Sequence, residues 1–127
     1  MSFSISAGVC PSRQRVSRKI LCIAYDSTLA RTRKLLLEHA GYDVVSVIGN
    51  QAAMRAAQSN QFDMVVIGHD AGYANRSYMV EWVRNHRPGV PILVLHSDAC
   101  EQFSTCVFDA NAYNAGQWLD TVNRALQ

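Results

Sequence analysis

Apolar runs recur along the chain from residue 19 onward, and a segment of helical periodicity follows most of them. The runs are apolar at consecutive positions rather than at alternate ones, which is typical of parallel strands covered on both faces. They predict strands over residues 19–25, 42–48, 64–68 and 90–96, and a short fifth strand over 106–108.

The segments between these strands carry apolar residues three and four positions apart, which predicts amphipathic helices. Asp26 is placed to cap the first helix and Gly41 to end it, while Asn50 is expected to cap the second. Turn residues predict a loop over 69–76. Helices are predicted over 27–40, 51–58, 77–86 and 116–127, with a weak helical pattern over 98–105.

Strands that alternate with helices in this way indicate an α/β domain in which right-handed crossovers build a five-stranded parallel sheet. Ligands of such sheets bind beyond the carboxyl ends of the strands. Candidate functional residues therefore lie directly after the predicted strands, at Tyr25, Asp26, Gly68, His69, Asp70, His96, Ser97 and positions 109–111.

Charge is distributed unevenly over the 127 residues, whose formal net charge is +2. Residues 1–19 contain four basic side chains and no acidic one, whereas the rest of the chain has eight basic and ten acidic side chains. We therefore expect a flexible basic tail over 1–18 and one domain over 19–127. So small a net charge gives no reason to expect nucleic-acid binding. A basic cluster on the first helix is expected to be solvated: Arg31, Arg33 and Lys34.

The four cysteines lack the paired spacing of a zinc ribbon. Cys22 lies in an apolar run and is expected to be buried, and Cys100 and Cys106 are also interpreted as packing residues. The basic residues of the N-terminal segment follow its mildly apolar part, which is the reverse of a secretory signal. Together with the absence of an 18-residue apolar stretch, this predicts a cytoplasmic protein that does not enter a membrane.

Three segments together resemble the receiver domain of response regulators: KILCIAYDSTLARTRKLLLEHAGYDVVSV, FDMVVIGHD and RPGVPILVLHSDA. The resemblance extends over residues 19–127. It implies a flavodoxin-like, doubly wound sheet with strand order 2-1-3-4-5 and helices on both faces. It also implies a role in two-component (phosphorelay) signal transduction through contact with a protein partner.

The resemblance also implies that particular residues are expected at the ends of the strands, because the chemistry of the family requires them. Receiver domains use two acids after the first strand to hold Mg²⁺, an Asp after the third to accept a phosphoryl group, a hydroxyl after the fourth and a Lys after the fifth. The metal ion and the Lys offset the charge of the transferring group. The acid pair falls on Ala24 and Tyr25, with only the following Asp26 retained, and no Lys follows Lys34. The acceptor, hydroxyl and Lys positions also depart from that set, at Gly68, His96 and Asn111.

The departures imply a degenerate receiver, or pseudo-receiver, that is not an enzyme and acts by contact independent of phosphorylation. Mg²⁺ binding is expected to be weak or lost because Asp26 alone offers few of the six ligands that the ion takes, and no other cofactor is expected. Asp26 is interpreted as a helix cap. Asp70 is the alternative phosphoacceptor, although we expect its side chain to lie on the loop rather than at the strand end.

A second hypothesis makes the chain a small metal- or ligand-binding protein or a hydrolase. His69 and His96 should end neighbouring strands, where with Asp26 or Asp70 they could hold zinc or iron. His96 and Asp26 could instead form an acid–base pair. Ordinary hydrogen bonds at the edge of the loops are the simpler interpretation of both histidines.

The resemblance further implies a contact surface, since receiver-like domains pair through the face of the fourth helix, the fifth strand and the terminal helix. A homodimer through this face is therefore an expectation. Its candidate contacts are Phe108, Tyr113 and Trp118. Trp118 would be an interface anchor if it is exposed and a core residue if it is buried.

Overall fold

Strands and helices alternate in the computed structural model, which describes residues 18–97 and 107–126. The strands are β1 (Lys19–Ala24), β2 (Asp43–Ile48), β3 (Met64–Ile67), β4 (Ile92–His96) and β5 (Phe108–Asn111). The helices are α1 (Ser27–His39), α2 (Asn50–Ser59), α3 (Tyr73–His86) and the C-terminal helix α4 (Ala115–Ala125). The helical pattern over 98–105, the strand start at 106 and the cysteines Cys10, Cys100 and Cys106 lie outside the described residues.

The five strands form one parallel sheet in the order β2-β1-β3-β4-β5, which confirms the predicted fold class. In the register, Leu21 pairs with Val45 on one side and with Val65 on the other. The strand order reverses between β1 and β3, so the carboxyl ends of these two strands form the switch point at which sheets of this class bind ligands.

Each face of the sheet has its own apolar core. One core packs α2 and α3 against the sheet through side chains such as Ala53, Met79 and Val83. The other packs α1 and α4 against the opposite face through Leu37 and Val122. The predicted helices on both faces are therefore confirmed. Cys22 is fully buried in the second core, as its apolar run indicated.

Helix α3 begins at Tyr73, so the prediction of a loop through residue 76 is wrong. The first turn of this helix is fixed by Arg76, whose side chain is buried. Its guanidinium donates to the carbonyl oxygens of Ala71 at 3.0 Å and Leu95 at 3.3 Å. The loop was predicted from the turn preference of residues 69–76. The hydrogen bonds of Arg76 outweigh that preference and allow the helix to begin earlier.

The predicted caps have different outcomes. Asp26 caps α1 by accepting from the backbone N–H of Leu29 at 3.0 Å, and Gly41 follows the helix end with a φ of 102°. Asn50 is instead the first residue of α2, and Gly49 precedes it without a side-chain cap. The side chain of Asn50 bonds groups outside its own helix.

Strand β5 runs from Phe108 to Asn111, later than the predicted 106–108, because it pairs with β4 from Leu93↔Phe108 to His96↔Asn111. Strand β4 begins at Ile92, with two residues between it and the turn at Pro88 and Gly89, so it is shorter than the predicted 90–96. In the described part of the chain, no helix is long and apolar enough to cross a membrane.

Trp118 is a core residue, with only 1% of its surface exposed. It packs between α4 and the sheet in the second core, so the expectation that it contributes to an interface is wrong. Phe108 and Tyr113, the other two candidates, are exposed by 42% and 75%.

Replacing Trp118 with Ala should lower the free energy of unfolding by about 3–5 kcal/mol, because the substitution leaves a large cavity beneath α4. The control is Tyr113→Ala, for which we expect a loss of about 0.5 kcal/mol, as for other surface substitutions. Urea denaturation of both variants measures the difference. Equal losses in the two variants would contradict the placement of Trp118 in the core.

Candidate functional site

The site lies where β1 and β3 end, and its centre is a glycine. Gly68 follows β3 directly, and its N–H donates to the carbonyl oxygen of Ile23 at 2.8 Å. A Cβ atom added at Gly68 would lie 2.3 Å from Nη1 of Arg33 and 2.6 Å from Oδ1 of Asp70. Both distances are far shorter than van der Waals contact, so these two side chains occupy the space that any larger residue at position 68 would need.

Arg33 reaches this space from helix α1, where only 3% of its surface is exposed. Its expected place in a solvated basic cluster with Arg31 and Lys34 is therefore wrong, although Arg31 is exposed. The guanidinium lies 3.4 Å from the Asp70 carboxylate and 2.9 Å from Nδ1 of His69. Because a guanidinium only donates, Nδ1 of His69 is the acceptor, and the neutral ring carries its proton on Nε2.

Asp70 points back from its loop toward the sheet, contrary to the expectation that its side chain would stay on the loop. Its Oδ2 accepts from the backbone N–H of Tyr25 at 2.7 Å, while Oδ1 faces Arg33. The short distance is typical of a hydrogen bond to an ionised acceptor. Asp70 thereby connects the loop after β3 to the end of β1.

Hydrogen bonds extend from Tyr25 to two more helices. The Tyr25 hydroxyl donates to Oδ1 of Asn50 at 2.7 Å, and Nδ2 of Asn50 donates to the carbonyl oxygen of Asn75 at 3.0 Å. Burial, together with the smaller effect of the Asp70 charge, raises the pKa of Tyr25 to about 12, and the Arg76 charge opposes this rise. The carboxyl edge of the sheet is thus held by one polar network that joins α1, α2 and α3.

The remaining acids and the thiol near the pocket are not arranged for metal binding. Asp26, the acid retained directly after the two pair positions, is exposed and caps α1. Asp70 is bonded to a backbone N–H and to Arg33. Burial raises the pKa of Cys22 to about 12, which keeps it a thiol. These donors do not fit a Mg²⁺ ion, which needs about six oxygen ligands in near-octahedral geometry.

His69 and His96 do not share a site. His69 bonds Arg33, whereas Nε2 of His96 lies 3.5 Å from Oδ1 of Asp109 on β5. Among residues 18–97 and 107–126, no three His, Cys, Asp or Glu side chains are grouped to hold a metal ion. The structure therefore gives no support to the metal-site hypothesis built on Asp26, His69 and His96.

The end of β5 carries no cation into the pocket. Asn111 is exposed, and its side-chain oxygen accepts from the backbone N–H of Tyr113 at 2.8 Å, which stabilises the turn after the strand. The Tyr113 ring meets the His69 ring edge-on, with centroids 5.2 Å apart. A cleft of about 150 Å³ lies beside this pair, between α1 and α4. Its walls include Leu29, Leu36 and Trp118.

Sequence reasoning missed Arg33, the residue that fills the pocket. A signal was available, because Arg33 lies three positions after Ala30 and four before Leu37, and all three are buried on one face of α1. A charged residue within an apolar stripe indicates a buried partner. The residues alone could not identify Asp70 as that partner, since the two lie 37 positions apart.

Solved structures similar to this chain include response regulators. The chemotaxis protein CheY4 of Vibrio cholerae matches with a TM-score of 0.76 at 20% identity, over 87% of this chain and 100% of that chain. The response regulator TrrA from Thermotoga maritima, solved in complex with Mg²⁺ and BeF, matches with 0.75 at 15% identity, over 86% and 99%. A structure of histidine kinase ThkA in complex with TrrA gives 0.74 at 14% identity, over 87% and 99%. These likenesses confirm the receiver-type fold.

No protein-family model matches the sequence, and no curated protein matches it. Support for the fold therefore comes from structural similarity. The chemistry of the site has to be inferred from the residues of this chain.

Replacing Asp70 with Asn should lower the free energy of unfolding by about 3–5 kcal/mol, because the buried Arg33 charge loses its anionic partner. Urea denaturation measures the loss. The control, Asp120→Asn, removes an exposed carboxylate 3.3 Å from Arg124 and should cost less than about 1 kcal/mol. A loss for Asp70→Asn no greater than the control's would show that the Arg33–Asp70 pair does not stabilise the fold.

The Tyr25 phenol should ionise near pH 12 in the folded protein and near pH 10 in the unfolded chain. Its contribution to stability is therefore complete below pH 10 and is lost as the pH rises from 10 to 12. The difference in ultraviolet absorbance between the native protein and Tyr25→Phe, followed through an alkaline titration, isolates this group. A midpoint near 10 in that difference would contradict the burial and hydrogen bonding described for Tyr25.

Proposed function

We propose that this chain is a signalling module of the response-regulator receiver type that works by protein–protein contact and accepts no phosphoryl group. It is a pseudo-receiver in a two-component pathway, without enzymatic activity of its own. We place it in the cytoplasm, as the sequence indicates. The fold supports the receiver part of this proposal, and the filled pocket supports the loss of phosphoryl transfer.

The observation that carries the proposal is the occupation of the space above Gly68. The resemblance assigns the phosphoacceptor to this position, and here a side chain at position 68 would collide with Arg33 and Asp70. The two charges neutralise each other and are buried together. An incoming phosphoryl group would have to separate this pair, which leaves a buried charge without a partner.

The other positions of the pocket support the same conclusion. Asp26 is engaged as a helix cap, and Asn111 stabilises a turn at the position where the family has its Lys. No Lys follows Lys34 anywhere in the chain, so a shifted register does not supply the missing cation. Asp70, the alternative acceptor, has both carboxylate oxygens engaged, one by Tyr25 and one by Arg33.

Exposed aromatic residues on β5 and in the loop after it provide the surface through which the module would act. Phe108 and Tyr113 both offer large apolar area to solvent, and aromatic residues are enriched at protein interfaces. The TrrA structure with ThkA contains a histidine kinase as the partner. For this chain we propose a protein of the same kind of signalling system, or a second copy, in contact with this face.

Amide NMR spectra recorded with and without Mg²⁺ plus beryllofluoride test the proposal. We expect no saturable shift at residues 24–26 or 68–70, because the pocket is already filled by Arg33 and Asp70. Mass spectrometry after incubation with a small phosphodonor should likewise show no covalent phosphoryl group.

The matched control is TrrA, which was solved in complex with Mg²⁺ and BeF and should respond under the same conditions. Saturable shifts at Asp26, Gly68 and Asp70, or a phosphoryl group on Asp26 or Asp70, would overturn the proposal. Either result would mean that the Arg33–Asp70 pair opens readily.

A further inference from the structure

A cleft of about 360 Å³ lies at the amino edge of the sheet, between the end of α3 and the start of β4. Its walls include Arg84 and Arg87 at the helix end, the turn at Pro88 and Gly89, and Ile92, the first residue of β4. Because the strands are parallel, this edge is opposite to the one that carries the candidate functional site. Sites for small molecules have volumes of about 300–1,000 Å³, so the cleft is large enough to hold a ligand.

The charge that lines the cleft is basic. Among the described residues of its walls, Arg84 and Arg87 carry the charges and none is acidic. Glu81 is the nearest recorded acid: its Oε2 lies 3.7 Å from Nη1 of Arg84, which is longer than a hydrogen bond, and its side chain is 60% exposed. Pairs as exposed as this one contribute little to stability, so Arg84 can exchange Glu81 for a ligand at small cost.

The guanidinium of Arg87 has more donors than the protein gives it acceptors. A guanidinium carries five N–H groups. Here Nη2 donates to the carbonyl oxygen of Ala57 at 2.6 Å and Nη1 to that of His86 at 3.2 Å. Nε is buried and has no hydrogen-bond partner in the part of the chain that the structure describes. Buried donors in folded proteins are nearly always bonded, so the contacts within the chain leave this group incompletely satisfied.

The positive charge of Arg87 has neutral acceptors instead of an anion. Among residues 18–97 and 107–126, no ion pair includes Arg87, whereas the buried Arg33 has the Asp70 carboxylate at 3.4 Å. The carboxyl ends of α2 and α3 carry partial negative charge, which explains why a basic side chain lies there. Their two carbonyl oxygens do not supply the acceptor that Nε lacks.

The remaining wall of the cleft is rigid and mostly apolar. Pro88 and Pro91 have fixed φ angles and no N–H group. The Val90 N–H donates to the carbonyl oxygen of Arg87 at 3.2 Å, and the carbonyl oxygen of Pro91 accepts from the Val65 N–H at 3.0 Å. The cleft therefore combines two guanidinium groups with a preformed wall whose own backbone groups are largely in use.

We propose that this cleft binds the phosphate group of a small organic phosphate, with Arg84 and Arg87 as the donors and the body of the ligand against Pro88 and Val90. Guanidinium groups match phosphate oxygens in geometry. A phosphate monoester carries close to two negative charges at pH 7, which matches two guanidinium groups better than a carboxylate does. The proposal does not rest on the proposed function, because the cleft and the candidate functional site lie at opposite edges of the sheet.

Amide NMR spectra of the full chain test the proposal when phenyl phosphate is titrated in a phosphate-free buffer of low ionic strength. We expect saturable shifts at residues 84–92. Inorganic phosphate should bind more weakly because it lacks the apolar ring. Benzyl alcohol, which has the ring without the phosphate, should cause no saturable shift there. Arg87→Gln should weaken the binding of phenyl phosphate at least about tenfold, because a charged hydrogen-bond donor is lost.

A second variant and a control separate binding from folding. Arg87→Gln also removes the bond to Ala57, so the spectrum of the unliganded variant has to show that its fold is retained. Arg84→Gln alters a side chain that is 37% exposed, and it should also weaken binding at least about tenfold. The matched control is Arg124→Gln, which removes an exposed arginine paired with Asp120 on α4 and should leave the affinity unchanged.

The absence of saturable shifts at residues 84–92 would overturn the proposal, and so would equal affinity of the native chain and Arg84→Gln. Shifts confined to residues 24–26 and 68–70 would also overturn it, because phenyl phosphate would then bind at the candidate functional site. Benzyl alcohol that binds as tightly as phenyl phosphate would overturn it as well, since the cleft would then recognise the ring and not the anion.

Discussion

The buried ion pair between Arg33 and Asp70 is the constraint on which the carboxyl edge of this sheet depends. Two charges beneath the surface are tolerated only when each has a partner and its remaining donors or acceptors are bonded. Here Asp70 also bonds the Tyr25 N–H, and Arg33 also bonds His69. Gly68 is part of the same arrangement, because only a residue without a side chain leaves room for the pair.

Under the proposed function, the ion pair occupies the place of a site that would change state on phosphorylation. In the family that the sequence resembles, a metal ion and a phosphoryl group bring opposite charges into this region from solution. Here the chain supplies both charges itself, from helix α1 and from the loop after β3. The hydrogen bonds through Tyr25 and Asn50 then hold the starts of α2 and α3 in fixed positions.

The fold could be predicted from the sequence because each buried strand has a continuous apolar run and helical periodicity follows most of them. The strand order and the two helical layers, which the resemblance to receiver domains implied, were also correct. The start of α3 was wrong because it depends on the hydrogen bonds of Arg76 to the carbonyl oxygens of Ala71 and Leu95. The sequence also placed Gly68, Tyr25 and Asp70 directly after strands, at the carboxyl edge of the sheet where the structure has them. It did not predict the contact between Arg33 and Asp70, because the two residues lie 37 positions apart and no local pattern encodes how they meet.

The contacts around Asp70 also determine how the chain must fold. Asp70 meets residues 37 and 45 positions earlier, and Asp63 accepts from the N–H of Lys19, 44 positions away. Non-local contacts of this kind close long loops, whose entropy cost slows folding. They tie the loop after β3 to the first strand and the first helix. A nascent chain that ends before residue 70 would contain the first three strands and the first two helices but no counter-charge for Arg33.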